Sequence, residues 1–148
     1  MAETTATSSE ETEEAAELPT ITPRPNEDSQ PFWDATAEGR FTLQRCTACD
    51  EVIWWPKAIC PACSSFDLEW FDATGHGKVY SYTVVHRSVG RWNKVTPYVV
   101  AYVELTEGPR VMTNIVDCDP ALVAIDAKVR LVWHDTGEGP ALPRFTLA

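Results

Sequence analysis

Four cysteines fall in two pairs of identical spacing, Cys46-x2-Cys49 and Cys60-x2-Cys63, with ten residues between the pairs. Thiolates are soft ligands, and Zn²⁺ favours four of them in a tetrahedron, so two tight knuckles facing one another close the shell of a single ion. A closed shell leaves no position for a substrate, and the metal is then structural. The spacer is shorter than the ~15 to 20 residues common between such pairs, yet it still accommodates two short hairpins. Two disulfides or two redox pairs are the competing readings. A disulfide across two residues is strained, and no βαβ pattern surrounds the cysteines as a redox pair requires.

Other residues with chemical potential are fewer. The segment 86–94 carries Arg87, Arg91 and Lys94 around Trp92, the densest basic cluster of the chain. Arginine and lysine on a loop suit phosphate groups, and Trp92 suits stacking on a purine. No Gly-rich fingerprint or helix start accompanies them, so a solvated hairpin tip is the competing reading. The histidines, His76, His86 and His134, have no spacing diagnostic of catalysis. His134 and Asp135 are neighbours in an extended segment and should point to opposite faces. Cys118 lies between Asp117 and Asp119, whose charges should raise a thiol pKa rather than activate it. Trp54 and Trp55, read as adjacent positions of one strand, should face opposite sides and leave one indole exposed. With Phe32 and Trp33 they form a candidate partner interface, and packing of all four against one another is the alternative.

The elements that must hold these residues are mostly short strands. Residues 31–39 begin with Pro and end with Gly, which predicts a two-turn helix too short to stand alone. Residues 41–45 and 52–56 flank the first knuckle, and 68–71 lead out of the second. Arg45 and Lys57 are near enough in sequence to offset excess thiolate charge. Beyond a turn at 75–77, strand patterns cover 78–87, 98–105, 110–116, 128–134 and 142–147, with a hairpin turn at 106–109 and a helical turn within 119–125. Five strands with the helical turn between the third and fourth fit a small Greek-key barrel of the OB type. The expected class is mainly β: a short helix over 29–40, a rubredoxin-like zinc ribbon over 41–74 and a five-stranded barrel over 75–148.

Residues 1–28 contain almost no large apolar side chains, which predicts a disordered acidic tail, with a short helix possible around 10–18. Eight of the 22 acidic residues lie in the first 30 positions against one arginine, and the formal net charge is -10. That balance removes the counterion-release term that drives non-specific nucleic-acid binding. No apolar run approaches the ~18 residues of a membrane span and no secretory signal pattern opens the chain, so a cytoplasmic protein without membrane or nucleic-acid partners is expected.

Taken in order, Phe32-Trp33 with Gly39, the paired knuckles, the run Gly77-Lys78-Val79-Tyr80-Ser81-Tyr82-Thr83 and the closing barrel resemble the zinc-ribbon/OB-fold family catalogued as domain of unknown function number thirty-five. The resemblance covers about residues 31–148. It implies a non-catalytic accessory subunit that docks on a thiolase-like enzyme, a lipid-transfer-type aldolase or a hotdog hydratase and helps bind acyl-CoA. One structural Zn²⁺ on Cys46, Cys49, Cys60 and Cys63 belongs to that picture. A nucleic-acid-binding protein using Tyr80, Tyr82, Tyr98 and Tyr102 for stacking, or a stand-alone acyl-CoA enzyme, are the alternatives. The first conflicts with the charge, and the second lacks a nucleophile with a base.

Overall fold

A computed structural model describes residues 17–148 of the 148-residue chain. The element order is α1 (Gln30–Ala37), β1 (Thr42–Cys46), β2 (Val52–Ile53), β3 (Leu68–Asp72), β4 (His76–Val85), β5 (Tyr98–Leu105), β6 (Arg110–Ile115), β7 (Lys128–Asp135) and β8 (Ala141–Leu147). Short 3₁₀ segments occupy Gly90–Val95 and Pro120–Leu122. No helix among the described residues is long and apolar enough to cross a membrane.

Helix α1 starts and stops on local chemistry. Asn26 and Ser29 hydrogen-bond each other's backbone through their side chains, at 2.9 and 3.1 Å, and Pro31 sits in the first turn. At the other end Gly39 takes φ +74°, and the amides of Gly39 and Arg40 close back onto Thr36 and Ala35. Glycine adopts that left-handed conformation without steric cost, which ends the helix where the sequence predicts.

The ribbon is a three-stranded sheet in the order β2-β1-β3. The barrel closes in the order β4-β5-β6-β8-β7, with β4 pairing β7 and a single parallel bridge, Ile115 to Phe145, joining β6 to β8. Renumbered within the barrel, that is 1-2-3-5-4, the closed Greek key of an OB fold. Val79, Val99, Ala101, Val103, Leu105, Val111, Val129 and Phe145 alternate inward to fill it. Phe32, Phe41 and Leu43, from the helix and ribbon, belong to the same buried cluster. Phe41 meets Phe145 at 6.4 Å between ring centres, so helix, ribbon and barrel share one core.

Three features depart from the expected elements. Strand β2 is two residues long, and Trp54-Trp55 lie in a bend after it. A bulge in β4 leaves Tyr80 without a partner on β5: Val79 faces Val103 and Ser81 faces Tyr102. Residues 17–28, assigned to the acidic tail by composition, include a stretch laid against the body, where the carbonyls of Leu18 and Pro19 accept hydrogen bonds from Arg144. Of the helix expected over 10–18, only Glu17 and Leu18 fall among the described residues, and neither is helical.

Candidate metal centre and aromatic furrow

The two cysteine knuckles have the same backbone plan. The Cys46 amide donates to Glu51 O while Asp50 N returns to Cys46 O; the Cys60 amide donates to Ser65 O while Ser64 N returns to Cys60 O. Asp50 and Ser64 each take φ 64°, the left-handed turn that brings the second cysteine of each pair around. Nothing in the residue types at 50 and 64 announces both turns. The buried Gln44 amide fastens the loop between the knuckles, donating to Lys57 O at 3.0 Å and accepting from Lys57 N at 2.8 Å.

These turns bring the four Sγ atoms within 4.8 Å of one another. Cys46 and Cys63 are 3.6 Å apart and Cys49 and Cys60 3.7 Å, with all four cysteines free. A tetrahedron with ~2.3 Å metal–sulfur bonds has edges of about 3.8 Å, so the donor set fits a zinc-sized cation. Charge points the same way. Burial pushes the Cys46 thiol up, but hydrogen bonds from the Cys49 and Ala48 amides and from the Cys63 and Cys49 thiols together outweigh it and bring the pKa down to about 7. The Glu51 amide favours the Cys49 thiolate, yet burial and the neighbouring thiols of Cys63, Cys60 and Cys46 push it up to about 12. Sulfurs this close cannot all ionise alone, and a divalent cation supplies the missing charge. The Arg45 guanidinium stacks 4.6 Å over the Phe71 ring.

The tryptophan pair corrects the strand reading. Because Trp54 and Trp55 follow β2 in a bend, both rings turn to one side and meet Phe32, at 5.2 and 5.4 Å, with Trp33 5.9 Å from Trp55. Phe32 is 0% exposed and is core rather than an interface anchor, since the three indoles cover it. Trp55 is the more open, at 37%. Trp33, Trp54 and Trp55 line a furrow of about 310 Å³ that continues over Ile21, Trp92 and Met112.

Of the basic-loop residues, only Trp92 enters this furrow. It packs on Tyr98 at 5.0 Å, whereas Arg87, Arg91 and Lys94 are exposed and line neither this furrow nor the 330 Å³ one beside it. The geometry therefore separates the stacking residue from its expected cations. The cation inside the furrow is Arg144, 4% exposed, which sequence reading missed. Its guanidinium donates to Leu18 O at 3.3 Å and Pro19 O at 2.6 Å, lies 2.6 Å from His134 Nδ1 and sits 6.0 Å from the Trp92 ring centre. Arg144 stands between Pro143 and Phe145 in an ordinary strand pattern, so no local signal marks it.

The remaining titratable candidates stay apart. His134 is occupied by Arg144, while the Asp135 carboxylate accepts from Gly137 N at 2.7 Å, on the opposite face as the strand alternation requires. Burial, with Asp117 and Asp119 nearby, raises the Cys118 thiol.

Comparison with known proteins adds relatives to this geometry. Residues 33–69 match the family model for the rubredoxin-like zinc ribbon domain of ChsH2, and residues 70–134 the model for its C-terminal OB-fold domain. The chain is 39% identical to a probable enoyl-CoA hydratase alpha subunit of Thermomonospora curvata over 90% of its own length, and spans 43% of that subunit. It is 38% identical to a DUF35 domain-containing scaffold protein of Methanothermobacter thermautotrophicus, over 66% of this chain and 74% of the relative. Among solved structures, a chain of the Ltp2-ChsH2(DUF35) aldolase superposes with a TM-score of 0.77 at 39% identity, covering 85% of this chain and 98% of that one.

Proposed function

Because this chain belongs to the ChsH2-type zinc-ribbon/OB-fold family, also termed DUF35, we propose that it is a non-catalytic accessory subunit of an acyl-CoA enzyme. Its partner is a thiolase-like enzyme, a lipid-transfer-type aldolase or a hotdog hydratase. The observation that carries this reading is the likeness over 98% of the ChsH2(DUF35) chain in an aldolase structure. The site geometry supports it: a four-sulfur cage, an aromatic furrow and, among the described residues, no nucleophile set beside a base.

Cys46, Cys49, Cys60 and Cys63 hold one Zn²⁺. The bound ion cross-links the two knuckles and takes no part in acid–base chemistry. The cage holds β1 and β2 in register, and the bend after β2 sets Trp54 and Trp55 against Phe32. Trp33, Trp54 and Trp55 then present a rigid indole surface to the partner, the kind of anchor that dominates protein interfaces. Arg87, Arg91 and Lys94 supply charge for the phosphates of the acyl-CoA, with Trp92 at the rim of the furrow.

The test is affinity capture with the tagged full chain from its source cells, followed by mass spectrometry and a CoA-thioester assay of the chain alone. An acyl-CoA enzyme in stoichiometric amount, with no turnover by the chain alone, is the expected result. Turnover by the purified chain overturns the accessory role.

A further inference from the structure

Among the described residues, Arg144 is the charged side chain that is buried, while every other arginine and lysine is half-buried or exposed. An exposed cation needs no counter-ion, because water solvates it; burial strips that shell and favours an anion alongside. No carboxylate of the described residues comes within 4.0 Å of the Arg144 guanidinium. Its acceptors are Leu18 O, Pro19 O and His134 Nδ1, all neutral, so its positive charge stays uncancelled. A guanidinium carries five N–H donors in a rigid fork. The Nε–H and one Nη2–H of Arg144 have no acceptor among the described residues.

This cation lines the 310 Å³ furrow and is the one charged residue of its wall. The polar side chains beside it are already engaged: Thr113 Oγ1 donates to Pro143 O at 3.3 Å and Asn114 Nδ2 to Val99 O at 2.9 Å. The rest of the wall is aromatic or apolar, Trp33, Trp55, Trp92 and Met112 among it. An apolar cleft with a single convergent charge is the common form of a small-molecule site, and this volume lies at the low end of the ~300 to 1,000 Å³ such sites span. One buried positive charge is balanced by one negative charge. A phosphate dianion or a pyrophosphate would leave excess charge among indoles, where it is poorly solvated. A carboxylate carries one charge, and its two oxygens match two N–H donors of a guanidinium fork.

We propose that the furrow binds a small apolar monocarboxylate, with Arg144 taking the carboxylate and the Trp33, Trp55 and Trp92 indoles taking the apolar body. The site stands on the chemistry of the furrow itself and not on the accessory-subunit reading. The chain alone tests it, whereas partner capture tests that reading, so either can fail without the other.

The experiment titrates the zinc-loaded full chain with octanoate, with octanamide, which keeps the apolar body and loses the charge, and with inorganic phosphate. Calorimetry reads affinity, and the indole N–H resonances of the tryptophans read location. The proposal predicts saturable octanoate binding that shifts Trp33, Trp55 and Trp92, octanamide weaker by roughly tenfold or more, and no displacement of octanoate by equimolar phosphate. Arg144→Met should lose about the same factor for octanoate and none for octanamide. The comparison of octanoate with octanamide is made on the parent chain, so it decides the matter even where the variant folds poorly. Equal affinity for the two probes overturns the proposal, because the cation then reads nothing. Absent octanoate binding, shifts confined to residues outside the furrow, or displacement by equimolar phosphate overturns it as well. Absent octanoate binding together with loss of partner capture in Arg144→Met assigns the cation to a carboxylate of the partner protein instead.

Discussion

The Nδ1 atom of His134 lies 2.6 Å from Arg144 Nη1, so the imidazole must be neutral to accept the guanidinium proton. Burial, reinforced by the Arg144 charge, holds the His134 pKa below its ordinary 6.5 against the weaker opposing pull of Asp117 and Glu17. The unfolded chain therefore binds a proton at this site at pH values where the folded chain does not. Stability from this pair is complete above about pH 6.5 and falls as pH drops through that value, levelling off below the folded pKa. Thermal melts between pH 8 and pH 5 should show this decline, and His134→Gln should flatten it. A variant that declines as steeply as the parent would place the titration elsewhere.

The same Arg144 ties the entry segment to the barrel. Arg144→Met removes the donors to Leu18 and Pro19 while keeping most of the side-chain volume. Faster hydrogen exchange over residues 18–21, with the barrel strands unchanged, is the expected outcome.

Gly77 packs where no side chain fits. A Cβ there would sit 2.5 Å from Glu104 O and 2.8 Å from Val103 Cγ1, atoms of the paired strand β5 and of the core. Gly77→Ala should destabilise the protein by about 1 to 3 kcal/mol or more, read by denaturant melts. An unchanged midpoint would show that β4 and β5 separate freely at this point.

Phe32 and Trp55 touch, at 5.4 Å, yet should behave oppositely. Phe32→Ala empties a site that is fully buried and should cost about 3 to 5 kcal/mol. Trp55→Ala, at the open edge of the furrow, should cost less stability and should reduce partner capture at least tenfold if the indoles anchor the interface. Melts and capture on the same two variants separate core from contact surface.

What was legible in the chain follows from how local each signal is. The knuckles, the helix end at Gly39 and the five barrel strands depend on spacing, a glycine and alternation, all of which reside in adjacent residues. The shared face of Trp54 and Trp55 depends on where β2 stops, after Ile53, and a run of five apolar and aromatic residues hides that stop. The bulge at Tyr80 depends on register against β5, which a single strand cannot encode. Arg144 is buried because residues from the far end of the chain cover it, a relationship 125 positions long to Pro19. Composition assigned residues 17–28 to a solvated tail for the same reason, since their partners lie on β8.

The central claim is that one divalent ion, held by four sulfurs, fixes the platform on which everything else is displayed. Metal analysis of native, unsupplemented protein, paired with melting curves before and after chelation, tests it directly. The account predicts one zinc per chain and a large loss of thermal stability when it is removed, with the indole fluorescence of the Trp33/Trp54/Trp55 cluster shifting as the ribbon opens. Protein that contains no metal, or that melts unchanged after chelation, would contradict it.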